Sequence, residues 1–277
     1  LRHGGFTPMS SPSARNSREQ ARFSRNALVL GLVAALSLVA CPETGPDSGV
    51  AGESTLPEAR DPRLEKAFER LASGRHREAR RLLGEILDER PDDGAATFYL
   101  ALSHHREKRY VAARAPFEEA IELGPGYPEY PQVHHFLGWC LYHLGELEAA
   151  RGAFEIHLEQ VPEMAASIFG IGQIDLEEGD LEGAAARFRR ALALERAGAA
   201  RPRQLARYLV ARAEIHAQRE NFAAARKSLL EATRLQPHAY SAYYKLYLIH
   251  TRLGETVDAA EALDRYEQLL DRVLPGR

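Results

Sequence analysis

From residue 61 onward, apolar residues recur at spacings of three and four, as expected of helices that bury one face. Phe98, Ala101, Leu102 and the apolar part of His105 form one such stripe, and Val111–Leu123 continues it. A longer period overlies this one. Ala79, Ala113, Ala150, Ala184, Ala225 and Ala259 are separated by 34, 37, 34, 41 and 34 residues. Four residues after each stands a large apolar side chain: Leu83, Phe117, Phe154, Phe188, Leu229 and Leu263. Gly74, Gly145, Gly179 and Gly254 lie five residues before four of the alanines, and Pro91, Pro125, Pro162 and Pro237 close four units. Glycine in mid-unit predicts a chain reversal, and proline at the end stops the second helix. One hairpin of this size cannot bury its stripe alone, so the pattern predicts stacked hairpins sharing a continuous core.

The arrangement resembles the tetratricopeptide repeat family. The resemblance implies an all-α fold, a right-handed superhelical solenoid of about six helix-turn-helix repeats. They fall near residues 61–93, 94–127, 131–164, 165–198, 206–239 and 240–273, with insertions around Pro128–Tyr130 and Gly198–Leu205. Ala101, Gly138, Gly172 and Ala213, at the eighth position of their units, are small enough for the two helices of a hairpin to approach closely. There are departures. The first unit's stripe (Leu64, Ala67, Phe68, Leu71) runs one residue late, Tyr247 replaces a small residue, and Pro116 is expected to kink its helix. In the last helix, Asp258–Leu274, Ala259, Leu263, Tyr266, Leu270 and Val273 share one side, and Glu261, Asp264, Arg265, Gln268 and Arg272 share the other. That polar outer face predicts a closed, monomeric array.

The first 60 residues follow a different pattern. Met9 reads as the start, and Arg15, Arg18, Arg22 and Arg25 precede an uncharged apolar run of 14 residues, Ala27–Ala40. A membrane span needs about 20 such residues, so residues 1–40 read as a signal peptide. The run ends Leu38-Val39-Ala40-Cys41, which resembles the lipobox of bacterial lipoproteins. That resemblance implies cleavage before Cys41, lipidation of its thiol, and an anchor in an envelope membrane facing the periplasm. Pro42–Pro57 is rich in Pro, Gly, Ser and acid, so residues 41–60 read as the lipidated Cys41 and a flexible tether of roughly 20–25 Å.

Charge follows the same division. The whole chain of 277 residues carries −3, but residues 1–40 hold five Arg and one Glu, which leaves −7 on the remainder. A basic head on an acidic body argues against a nucleic-acid partner. No phosphate loop, nucleophile elbow, HExxH or calcium loop occurs, and the carboxylates sit beside Arg and Lys on solvated helix faces. No catalytic residue, cofactor or resident metal is therefore expected, and the protein does not read as an enzyme. Cys140 reads as a small buried thiol, and His104, His216 and His250 read as packing residues.

The groove remains. The resemblance implies that positions 2, 5, 9, 12 and 13 of each first helix line a concave surface. The residues drawn from it as partner-binding are His105, Arg106, His135, Trp139, Tyr142, His143, Phe169, Gln173, Arg207, Glu214 and Tyr244. Phe98 and Phe169 are equally compatible with packing between units, whereas Trp139 and Tyr142 read as anchors. The Lys/Asn set by which chaperone-binding family members clamp a terminal carboxylate is absent. The expected function is a membrane-anchored scaffold that binds a segment or helix of an envelope protein. Similar lipoproteins help assemble pilus secretins, outer-membrane insertion machinery or cell-wall enzyme complexes. The alternative is an accessory protein binding a small ligand or a metal, with His105, His135 and His143 as the ligands.

Overall fold

A computed structural model describes residues 60–198 and 200–273. The signal segment, Cys41 and almost all of the tether lie outside these residues. Twelve helices and no strand occur among the described residues. They are α1 (Pro62–Ala72), α2 (His76–Glu89), α3 (Gly94–Arg106), α4 (Tyr110–Glu122), α5 (Tyr130–Leu144) and α6 (Leu147–Gln160). The series continues with α7 (Ala165–Glu177), α8 (Leu181–Ala197), α9 (Pro202–Gln218), α10 (Phe222–Leu235), α11 (Tyr240–Leu253) and α12 (Thr256–Val273). Each helix packs on the next, and from α1 to α9 each first helix also touches the first helix of the following hairpin. The result is a solenoid of six hairpins. None of the described helices is long and apolar enough to cross a membrane.

The repeated alanine and large apolar residue explain how the hairpins close. Phe117, Phe154 and Phe188 are completely buried, as are Ala79, Ala113, Ala150 and Ala184. Phe154 of α6 lies between two glycines. A Cβ on Gly138 of α5 would stand 2.7 Å from its ring, and one on Gly170 of α7 would stand 2.5 Å away. Gly172 stands in the same relation to Phe188, at 2.7 Å. Small residues on the first helices thus form the notches that receive the large side chains of the second helices. The core is a strip rather than a centre. One apolar cluster runs from Leu64 to Ala232, and a smaller one joins Ala213, Ala225, Leu229, Ala242, Leu246, Ile249 and Ala262 around the last hairpin.

Helix ends follow local chemistry. The side chains of Asp61, Asp93, Asp180 and Asn221 accept hydrogen bonds from the backbone amides of Arg63, Ala96, Gly183 and Ala224 at 2.8–3.2 Å. Four irregular features of the sequence take these forms in the structure. Although its stripe runs late, α1 buries Leu64, Ala67 and Leu71 as an ordinary helix. α4 continues through Pro116, because Phe117 and Ala120, both fully buried, hold the turns around it. α9 begins at Pro202, so four residues of the second insertion join the helix, with proline in the first turn where no amide partner is lost. The buried carboxylate of Glu195 anchors the rest of that insertion by accepting from the Arg201 backbone and guanidinium.

The last helix is the fourth. Its buried residues are Ala259, Ala262 and Leu269, while Leu263, Tyr266 and Leu270 are half-buried and Val273 is exposed. The apolar stripe expected from the sequence is rotated, whereas the polar side expected of this helix is exposed at Glu261, Asp264, Gln268 and Arg272.

All six turns reverse at the same place. The residue five before each repeated alanine has positive φ: Gly74 (75°), Lys108 (60°), Gly145 (81°), Gly179 (83°), Glu220 (57°) and Gly254 (75°). A side chain in this left-handed region costs on the order of 1 kcal/mol, so Lys108 and Glu220 are held there by the hairpins around them. Lys108→Gly and Glu220→Gly are each expected to stabilise the protein by about 1 kcal/mol in urea unfolding, and Gly145→Ala to destabilise it by a similar amount.

Candidate partner-binding groove

Most of the expected groove residues come together along the first helices of the second to fifth repeats. His143 stacks on Tyr110 with ring centroids 4.4 Å apart, and His105 meets Tyr110 edge-on at 5.4 Å. Trp139 touches Tyr142, Phe154, Phe169 and His143 at centroid distances of 5.3–6.1 Å. The Arg207 guanidinium lies over both the Trp139 ring (5.2 Å) and the Phe169 ring (5.0 Å), a cation–π arrangement that joins the third, fourth and fifth repeats. Tyr142 donates to Glu177 at 3.3 Å, and Glu214 pairs with Lys245 of α11 at 3.0 Å.

Burial separates these residues into two groups. Trp139 (9 % exposed), Phe169 (3 %) and His135 are part of the packing between repeats. They cannot serve as projecting anchors, because the next first helix already covers the positions they occupy. Gln173, His105, Tyr142 and Glu214 are half-buried, and Arg106, His143, Arg207 and Tyr244 are exposed. Tyr244 lies on α11, at the end of the array, and contacts Tyr247 and Tyr266 rather than the aromatic cluster. Trp139 is therefore part of the packing between repeats, while Tyr142, His143 and Arg207 keep part or most of their surface open.

The groove contains unmet hydrogen-bonding capacity. Arg207 makes one side-chain contact, to Gln204 Oε1 at 3.3 Å, and pairs with no carboxylate among the described residues. Dense surroundings and the neighbouring Arg203 hold its pKa below the ordinary guanidinium value, and the desolvation caused by nearby protein does the same for Arg106 although its side chain reaches solvent. Gln173 Oε1 and His105 Nε2 are buried without a hydrogen-bond partner among the described residues.

Among the described residues, the three histidines of the metal alternative do not converge. His135 Nδ1 and His157 Nδ1 share the hydroxyl of Ser167 at 2.7 and 2.8 Å, and all three residues are buried. One hydroxyl proton serves only one of the two rings, so the other must donate its own Nδ1–H. His143 stands in its stack and His105 beside Phe117 and Phe136, so the trio expected as ligands is committed elsewhere. The one group of potential ligands that converges among the described residues is His250, Glu255 and Asp258, but Glu255 is already engaged by Arg226 and by His250 Nδ1. The Cys140 thiol donates to the Tyr110 carbonyl, and burial pushes it up to about 11, so it is inert at neutral pH.

Two features lay outside the sequence reading. Tyr110, the stacking partner of His143, belongs to a second helix, whereas the groove positions considered were all on first helices. The other is a ladder of ion pairs between repeats: Arg80–Glu107, Arg114–Glu146 and Arg151–Glu178 at 2.6–2.7 Å, and Arg226–Glu255. The arginine always follows the repeated alanine, and the glutamate always flanks the next turn. Between the fourth and fifth repeats Ala185 takes the arginine's place, and Arg219–Glu182 bridges the junction in the opposite sense at 2.6 Å. Each exposed pair contributes only about 0.2–1 kcal/mol, but together they fix the register of stacking.

A family model described as tetratricopeptide repeat matches residues 64–128, 126–165 and 210–271. Among curated proteins, the chain is similar to the protein CTR9 homolog of Arabidopsis thaliana, at 29 % identity over 110 residues, which is 40 % of this chain and 10 % of that protein. Among solved structures it resembles the APC/C hetero-tetramer Cut9–Hcn1, with a TM-score of 0.68 and 18 % identity over 75 % of this chain and 39 % of that one. PilF of Pseudomonas aeruginosa gives 0.62 and 18 %, covering 79 % of this chain and 94 % of that one. PilW gives the same score and identity, covering 78 % and 93 %. The chain thus spans a tenth of the curated relative and well under half of the Cut9–Hcn1 chain. At these identities the structural likeness concerns the fold.

The shared serine makes a testable link between pH and packing. Burial holds His135 down to about 3 and His157 to about 4, so both are neutral in the folded protein. The unfolded chain takes up these protons near pH 6.5, so stability is full above that value and falls as the pH drops toward the folded-state values. The expected slope below pH 6 is up to about 1.4 kcal/mol per pH unit for each histidine. Urea midpoints at pH 7 and pH 5 should differ accordingly, and His157→Phe should flatten the difference. An unchanged profile in that variant would exclude His157 as a source.

Proposed function

Since the chain belongs to the tetratricopeptide repeat family, we propose that it is a scaffold without catalytic activity, one that holds an extended segment or helix of a partner protein in its concave groove. The observation that carries this reading is the Arg207 guanidinium, spread over Trp139 and Phe169 with a single hydrogen bond, to Gln204, among the described residues. Gln173 Oε1 and the exposed His143 add hydrogen-bonding sites beside it, and Tyr142 adds an amphipathic ring. A solenoid groove presents these groups in a fixed line, which lowers the ordering cost of capturing a flexible segment.

The N-terminal pattern supports a location. Lipidated Cys41 would hold the scaffold to a bacterial envelope membrane through its tether, with the repeats on the periplasmic side, and the partner would belong to an envelope assembly. PilW is described as a type IV pilus biogenesis factor. That description belongs to PilW; what it lends here is that a solenoid of this size suffices for such work.

Two measurements test this function. Tyr142→Ala combined with Arg207→Glu should reduce co-purification of the crosslinked membrane partner at least tenfold while helicity by circular dichroism is unchanged; undiminished recovery would remove the groove from the mechanism. Cys41→Ser should shift the protein from the membrane to the soluble periplasmic fraction and abolish incorporation of labelled fatty acid. Wild-type protein found soluble would overturn the anchor.

A further inference from the structure

The arginines that join one repeat to the next are paired. Arg80, Arg114, Arg151, Arg219 and Arg226 each meet a carboxylate of the neighbouring repeat. The two that line the groove differ. Arg106 and Arg207 are exposed and pair with no carboxylate among the described residues, and the exposed Lys108 pairs with none either. Two imidazoles link these cations. Burial lowers His105 and His143 below the ordinary histidine value, and neighbouring positive charge lowers them further: His143 and Arg106 act on His105, and Arg207 and Lys108 act on His143. No carboxylate acts on either ring. The three cations and two rings form one strip from the second repeat to the fifth.

We infer that the segment held in this groove is acidic: an extended stretch of a partner protein with one Asp or Glu carboxylate on Arg207 and a second on Arg106 and Lys108. The inference rests on the function proposed above and names the chemistry of its partner.

The placement of the arginines favours carboxylates. Arg207 lies over Trp139 and Phe169, and a guanidinium stacked on aromatic rings keeps its fork of donors for a bidentate carboxylate. Protein packed around Arg106 and Arg207 strips part of their water, so a carboxylate arriving there meets a stronger field than in open solvent. The groove's own carboxylates set the limits of the strip. Glu177 accepts from Tyr142, Glu214 pairs with Lys245, and beyond the other end α1 exposes Glu65 and Glu69. A uniform polyanion such as a nucleic acid would meet these carboxylates on both sides, whereas two acidic side chains set between them would not. A basic segment would face three cations and find Glu177 and Glu214 already engaged.

The probe is a phage library of random peptides of about twelve residues, which reach roughly 40 Å when extended, selected against the immobilised full chain. Selected clones are expected to carry Asp or Glu at two positions at least threefold more often than the starting library. Their binding should weaken at least threefold as salt rises from about 50 to 200 mM. The variant with both Arg106→Glu and Arg207→Glu should select Lys and Arg at those positions instead, with helicity by circular dichroism unchanged. Clones that are lost with Tyr142→Ala yet show no acidic enrichment would leave the groove as the binding site and overturn this inference alone. Acidic clones that bind the double variant as well as the wild type would place the contact elsewhere, against the inference. A labelled oligodeoxythymidylate bound as tightly as the clones would assign the strip to a polyanion and sink it too. Recovery of no convergent clone would also refute it, while the co-purification described above still decides the groove.

Discussion

The solenoid depends on one contact made repeatedly: a large apolar side chain of each second helix seated against small residues of the first helices. Phe154 shows its geometry most clearly, with Gly138 on one side and Gly170 on the other, each too close for even a methyl group. This contact closes a hairpin and joins it to the next at the same time. It explains why the core is a strip, why the repeat tolerates extensive change elsewhere, and why the exposed ion pairs need only set register. Dispersion and apolar burial at these sites supply the cohesion, and they act only when the backbone is brought close.

The same contact governs how much was legible in the sequence. The alanine and its partner four residues later recur at intervals that the eye can follow, so the hairpins and the architecture follow from spacing alone. The turns were half legible. Four carry glycine, but Lys108 and Glu220 adopt the same left-handed conformation because closure of the hairpin on both sides outweighs the local strain. The insertion before α9 read as irregular because its helical start depends on Glu195, a buried carboxylate whose partner, Arg201, lies across a turn. At Pro116, where a kink was expected, the sequence shows the missing amide and not the packing that carries α4 through it.

The groove was harder to read, for a physical reason. Helical position places a residue on a face, but it does not say whether the neighbouring repeat covers that face. Trp139 and Phe169 occupy groove positions and are consumed by packing, whereas Arg207, at the same kind of position, is held above them. His135 was indistinguishable from His143 in sequence. The difference is Ser167 and His157, brought from α7 and α6 to one ring and absent from the other. Tyr110 escaped notice because its role depends on an angle between helices.

The two ends of the array show how a one-dimensional fold acquires direction. Every interior repeat has one side shaped by its predecessor and one by its successor, so the same sequence positions are satisfied twice over. At the first repeat, the side that no described residue covers has the exposed Glu65, Lys66 and Glu69. At the last repeat the equivalent positions keep the tyrosines and leucine of an interior junction, while the alternating charges that register another repeat are replaced by Val257 and Ala260. The smaller apolar cluster beneath this hairpin is distinct from the main strip, which makes the last hairpin the part of the fold least buttressed by its neighbours.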